Sequence, residues 1–115
     1  MTWRVVYLPE AADDFRSLDK SQQIKVAKAI RKVSTNPLPR SEGGLGLPLG
    51  NKHGRDLTDF LKIRLLNEGI RIVYRLIRHN EEMLIVVIGM REDEDAYRIA
   101  CKRRVRAFVE GRDAN

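Results

Sequence analysis

Residues Leu61 to Leu76 read LKIRLLNEGIRIVYRL. In its first five positions apolar Leu61, Ile63 and Leu65 alternate with cationic Lys62 and Arg64. Period two is the strand period, so one side of this segment is apolar and the other cationic. Asn67-Glu68-Gly69 supplies turn residues, and alternation resumes with Arg71, Val73 and Arg75 on one side. A third run, Met83-Leu84-Ile85-Val86-Val87-Ile88, is continuously apolar and fits a central strand covered on both faces. Strands are therefore expected near Thr58–Leu65, Ile70–Arg78 and Met83–Met90. The second turn is His79-Asn80-Glu81-Glu82. Consecutive strands joined by short turns imply an antiparallel meander.

Upstream, Trp3 to Leu8 reads as a first strand with Trp3, Val5 and Tyr7 on one face, and Pro9 stops it. Ala11, Ala12, Phe15 and Leu18 recur at helical spacing. Asp19 with Gln22 three residues on has the form of a capping box. Val26, Ala29, Ile30 and Val33 form the apolar stripe of the helix that follows, and Asn36-Pro37 ends it. So short a link between two helices predicts an antiparallel hairpin. The segment PLPRSEGGLGLPLGNKHGR, Pro37 to Arg55, carries no period and reads as a long loop, functional or mobile. Residues 93–108 read as a last helix, with Tyr97, Cys101, Val105 and Phe108 on one face. The acidic run from Glu92 to Asp95 suits its N-terminal dipole better than a metal site. The tail, residues 110–115, is expected to fray. The expected fold is α+β in the order β-α-α-β-β-β-α. A small, largely antiparallel sheet carries an N-terminal helical hairpin and a C-terminal helix, all within a single domain over residues 1–115.

The chain has 115 residues, 43% of them apolar and 33% charged, which suits one folded domain rather than a disordered chain. No run is long enough for a membrane span. The opening MTWRVVYLPEA lacks the order of a signal peptide, so a cytoplasmic protein is expected. Cys101 is the single cysteine, which excludes an internal disulfide, and no Cys/His cluster offers a metal site. On a helix at apolar spacing it reads as a small core residue. The net charge of +6 favours a polyanionic partner such as nucleic acid or the ribosome. Aromatic content of 6% argues against a broad base-stacking platform.

If the cationic faces of the two strands coincide, Lys62, Arg64, Arg71 and Arg75 line one outward patch, with Arg91 and Tyr97 within reach of its rim. His53 and His79 fit ordinary surface positions, and no Ser/His/Asp set or carboxylate pair lies on the patch. The chemistry that suits cations plus a tyrosine is RNA cleavage by the neighbouring 2′-hydroxyl. A lysine crowded by cations has a lowered pKa and can serve as base, and an arginine fork stabilises the phosphorane. An aromatic ring can stack on the extruded base. From pattern alone, a face that only grips phosphate is the commoner use of such residues.

Lys62-Ile63-Arg64-Leu65, Gly69-Ile70-Arg71-Ile72-Val73-Tyr74, Gly89-Met90-Arg91 and Tyr97 together resemble the RelE/ParE superfamily of bacterial type II toxins, closest to the RelE branch. The resemblance covers roughly residues 3 to 104 and includes the order of elements. It implies a toxin that cleaves mRNA in the ribosomal A site without a metal or other cofactor. Carried over by position, Lys62 resembles the general base and Arg64 a phosphate-gripping residue, where the family often has lysine. Arg71 resembles the transition-state stabiliser, Arg91 the group that protonates the leaving oxygen, and Tyr97 the base-stacking ring. Lys52, Arg55 and Arg75 are candidate additional RNA contacts. The implied partners are a cognate antitoxin, the ribosome and mRNA, with operator DNA reached only through the antitoxin complex and no membrane. Two other readings stay open: a ParE-like gyrase poison, and a non-catalytic module that binds nucleic acid or antitoxin.

Overall fold

The computed structural model describes residues 2–49, 59–89, 98–100, 102–103 and 105–113. Its elements are β1 (Arg4–Tyr7), α1 (Pro9–Arg16), α2 (Lys20–Ser34), β2 (Leu47–Pro48), β3 (Phe60–Leu65), β4 (Ile70–Ile77), β5 (Glu82–Gly89) and α3 (Val105–Asp113). The sheet is five-stranded in the order β1-β5-β4-β3-β2. The β3-β4-β5 meander is antiparallel as expected, and β1 joins β5 in parallel. The continuously apolar run is an interior strand, with residues from Glu82 to Ile88 all buried.

The helical hairpin forms where the sequence signals place it. Asp19 caps α2: its carboxylate accepts from Gln22 N at 2.8 Å, and Gln22 Oε1 accepts from Asp19 N at 3.2 Å. Such a reciprocal cap satisfies two backbone donors that the helix leaves open. Val26, Ile30 and Val33 are buried along its stripe. Tyr7 meets Phe15 edge-on with centroids 6.4 Å apart, which seats α1 on the sheet face of Val5, Tyr7, Ile85 and Tyr74.

The stretch after α2 departs from expectation. Residues 37–49 are packed rather than an open loop. A 3-10 turn spans Arg40–Glu42, Pro39 bridges Gly46, and Leu47–Pro48 adds an edge strand on β3. Glycine makes this possible by close approach. A Cβ at Gly44 would lie 2.0 Å from Leu38 O, and one at Gly46 would lie 2.3 Å from the Tyr74 hydroxyl and 2.4 Å from Leu61 Cδ2. Backbone contacts of this kind leave no hydrophobic period to read. The Tyr74 side chain, wholly buried, donates to Pro37 O at 2.8 Å and ties the segment to the centre of the sheet. Burial holds the Tyr74 phenol well above its usual range.

A raised tyrosine pKa in the folded state contributes stability that is complete below the unfolded value near 10 and is lost as pH rises through the folded one. The native protein should therefore lose stability progressively above about pH 10, where only the unfolded chain ionises this phenol. Tyr74→Phe should abolish that alkaline component and cost about 1–3 kcal/mol at neutral pH, because Pro37 O loses its donor. Urea denaturation at pH 7 and pH 11 checks both.

The C-terminal element also differs. Residues 98–100 and 102 are helical, Arg103 is a bend, and α3 continues to Asp113, past the point where fraying was expected. Ala100 and Val105 join the core cluster, with Ile99, Phe108 and Val109 partly buried against it. The start of the expected helix, the acidic run and Cys101 lie outside the described residues. No helix among the described residues is long and apolar enough to cross a membrane.

Candidate active site

Strand register settles which cations share a face. Arg64 lies directly opposite Arg71, Lys62 opposite Val73, and Phe60 opposite Arg75. Directly opposed residues of an antiparallel pair point the same way with Cα atoms about 4.5–5.5 Å apart. Phe60, Lys62 and Arg64 on β3 therefore stand beside Arg75, Val73 and Arg71 on β4, on the face away from α1. Across β4 on its other side, Gly89 of β5 is opposite Arg71. Among the described residues, a Cβ at Gly89 would find nothing closer than Val87 Cγ1 at 3.9 Å.

The four strand cations differ in exposure. Arg64 is exposed, Arg71 and Arg75 are half-buried, and Lys62 is 7% exposed. The expectation that Lys62 faces outward with its neighbours is corrected here. Edge strand β2 places Leu47 on one side of Lys62 while Val73 stands on the other, so its stem is enclosed. Lys52, Arg55, Arg91 and Tyr97 lie outside the described residues. Gly89, opposite Arg71, precedes Arg91 by two residues in the chain.

Several cations off this face are paired with carboxylates. Arg78 holds Glu42 through two bonds of 2.9 Å and also engages Asp59 at 3.0 Å, while Lys25 meets Glu68 at 2.8 Å. Arg78 keeps the Glu42 carboxyl below the usual carboxylate range, and the two carboxylates raise the pKa of the guanidinium in turn. On the face, neither Arg64 nor Arg75 has a carboxylate partner among the described residues. Like charges placed directly opposite each other, as Arg64 and Arg71 are, oppose sheet stability by some tenths of a kcal/mol. An arrangement that stability alone would not select suits an anionic ligand. No cluster of His, Cys, Asp or Glu among the described residues could hold a metal ion.

Sequence reading missed two groups. Phe60 belongs to the cationic face by the same alternation that places Lys62 and Arg64, and its ring lies 5.9 Å from the Arg75 guanidinium carbon. Arg103 and Asp14 close the edge of β5 next to the site. Strand β1 ends at Tyr7, before Pro9 opens α1, and Leu8 N makes the last backbone bond to β5, at Ile85 O. The register between β4 and β5 then slips, leaving Val86 as an extra residue. Arg103 donates to Val86 O, the Asp14 carboxylate accepts from Ile88 N at 3.0 Å, and the two side chains pair at 2.8 and 3.2 Å. The partners are 89 residues apart, and nothing local marks either one.

The chain belongs to the family of RelE-like toxins. No family model matches it. It is 30% identical over 103 residues to an Escherichia coli protein described as a RelE-like toxin, covering 90% of this chain and 98% of that one. Among solved structures, an arginine-substituted form of E. coli toxin RelE in the free state superposes with a TM-score of 0.70 at 24% identity, covering 91% of this chain and all of the other. The E. coli RelBE toxin–antitoxin complex matches with a TM-score of 0.62 at 22% identity, over 78% of this chain and 98% of that one. The Mycobacterium tuberculosis RelBE complex gives 0.63 at 21%, over 81% and 95%.

Proposed function

We propose that this protein is the toxin of a type II toxin–antitoxin pair and cleaves mRNA on the ribosome in the cytoplasm. The observation that carries the reading is the register pair Arg64–Arg71, set beside the enclosed Lys62 on one face with no carboxylate partner for Arg64. Membership of the RelE-like family and the fold shared with RelE support it.

In the reaction, the 2′-oxygen of one ribose attacks the adjacent phosphorus as its proton passes to a base. The P–O5′ bond then breaks and the 5′-oxygen takes up a proton. One product ends in a cyclic phosphate and the other in a 5′-hydroxyl. Lys62 is the base: enclosed between Leu47 and Val73, its amine has few orientations to choose among. Arg64 grips the phosphate from the exposed end of the face. Arg71, two strand positions from Lys62, meets the charge that builds on the equatorial oxygens in the transition state. Arg91 as proton donor and Tyr97 as stacking ring complete the scheme on the family resemblance, and Lys52 and Arg55 are proposed as RNA contacts from outside the described residues. No step calls on a metal. An antitoxin that covers the cationic face would shield it from RNA, and an E. coli RelBE toxin–antitoxin complex shows that a protein of this fold has an antitoxin partner.

Expression without antitoxin should arrest translation and cut messages within their translated region. Primer extension on one transcript, translated and untranslated, tests this: cuts are expected on the translated message. Intact transcripts together with trapped gyrase–DNA breaks would assign the chain to the ParE branch, and growth unaffected by expression would leave only a binding module.

A further inference from the structure

The cationic face does not end at Lys62. Its next pair along the strands is Phe60 opposite Arg75, with the guanidinium carbon 5.9 Å from the ring centroid. The guanidinium is steadied by its own strand, since Arg75 donates to Leu76 O at 3.1 Å. The backbone leading into Phe60 is held as well. Asp59, immediately before Phe60, adopts φ 63°, and its carboxylate is gripped by Arg78. Its carbonyl accepts from Leu76 N at 3.1 Å. Left-handed backbone at a non-glycine residue is uncommon, and here two independent contacts hold it. Both Phe60 and Arg75 are partly exposed, and no carboxylate among the described residues neutralises the cation.

We propose that Phe60 and Arg75 form a stacking step for an unpaired nucleobase of the RNA, on the side of Lys62 remote from Arg64. The proposal rests on the RNA-cleaving reading of the face and adds a base-recognition position to it. Phe60 and Arg64 lie four positions apart, about 13 Å along a strand. That spacing puts the stacking step beyond the phosphate held by Arg64 and Arg71, at a flanking nucleotide. An aromatic ring and a guanidinium plane are the two surfaces on which single-stranded bases stack, and the ring accepts any base. The step therefore governs binding of the message and the preferred base beside the cut, not the bond-breaking chemistry.

Trp3 is the single tryptophan, so a Trp3→Phe/Phe60→Trp double variant reports from this position alone. Its indole emission should be quenched by a 2′-O-methyl oligoribonucleotide, which cannot be cut, and far less by ribose 5-phosphate. Arg75→Gln in the otherwise unaltered protein should weaken binding of the same oligonucleotide about tenfold, measured by anisotropy. In the ribosomal assay, Phe60→Leu should raise KM or move the cut sites with kcat unchanged. Unquenched emission with undiminished Arg75→Gln binding overturns the stacking step, even if the unaltered protein cuts mRNA. Quenching and weakened binding from a protein that never cuts would uphold the step and defeat the nuclease reading instead.

Discussion

Arg71→Ala should lower mRNA cleavage by about 10²–10³-fold, the loss typical of removing one preorganised donor from a developing oxyanion. The reason lies in where Arg71 stands. It is half-buried on interior strand β4, with Arg64 opposite on β3 and the side-chain-free Gly89 opposite on β5. A guanidinium so placed has its stem supported by the neighbouring strands. In the proposed mechanism its fork presents two parallel donors to the phosphorane. Arg71→Lys should recover only part of the rate, because an ammonium keeps the charge and loses the fork. The substitution leaves the apolar face of β4 untouched, so the variant should fold. Single-turnover cleavage on programmed ribosomes, read beside circular dichroism, separates the two effects. A folded Arg71→Ala protein that cuts at the normal rate would remove this side chain from the mechanism. Arg64→Ala should cost less, mainly in KM, since Arg64 is exposed and its contact with phosphate is solvated before and after binding.

Much of this site could be read from alternation. A strand has two faces, and the parity of Lys62, Arg64, Arg71 and Arg75 fixes one of them. What parity leaves open is register, and β3–β4 register is what puts Arg64 opposite Arg71 rather than one step away. Phe60 has the same parity yet went unread, because a single aromatic at a strand start carries no weight until Arg75 is seen beside it. The enclosure of Lys62 was beyond sequence altogether. It depends on β2, which is two residues long and is held by contacts of Gly44 and Gly46 with Leu38, Leu61 and Tyr74. Such contacts use the absence of side chains, and absence leaves no period. Helix α2 was legible for the opposite reason: its cap and stripe are both local. The last helix was legible in part. Its apolar spacing continues through Val105 and Phe108, but the bend at Arg103 answers to a partner on α1 that local sequence cannot display.

That partner gives the largest expected effect on stability. Asp14→Ala should destabilise the protein by about 2–4 kcal/mol, because it strands two groups at once. One is the Ile88 N–H, which points to a sheet edge that β1 does not reach. The other is the Arg103 guanidinium, only 17% exposed and left with Val86 O as its described acceptor. Arg103→Met should cost less than Asp14→Ala. The methionine stem refills part of the volume, and Asp14, 21% exposed, keeps the Ile88 donor. A double-mutant cycle in urea separates the pair from the edge cap: the two losses should fall short of additive by about 1–2 kcal/mol. Additive losses would mean that Asp14 and Arg103 act on the edge separately. The same variants bear on function through geometry. Gly89, opposite Arg71, follows Ile88 directly, so a loosened β5 edge should reduce cleavage even at temperatures where the protein remains folded. Cleavage by Asp14→Ala at 15 °C should therefore fall below that of Arg103→Met when both are fully folded by circular dichroism. Equal rates would confine the cap to stability and free the cationic face from any dependence on it.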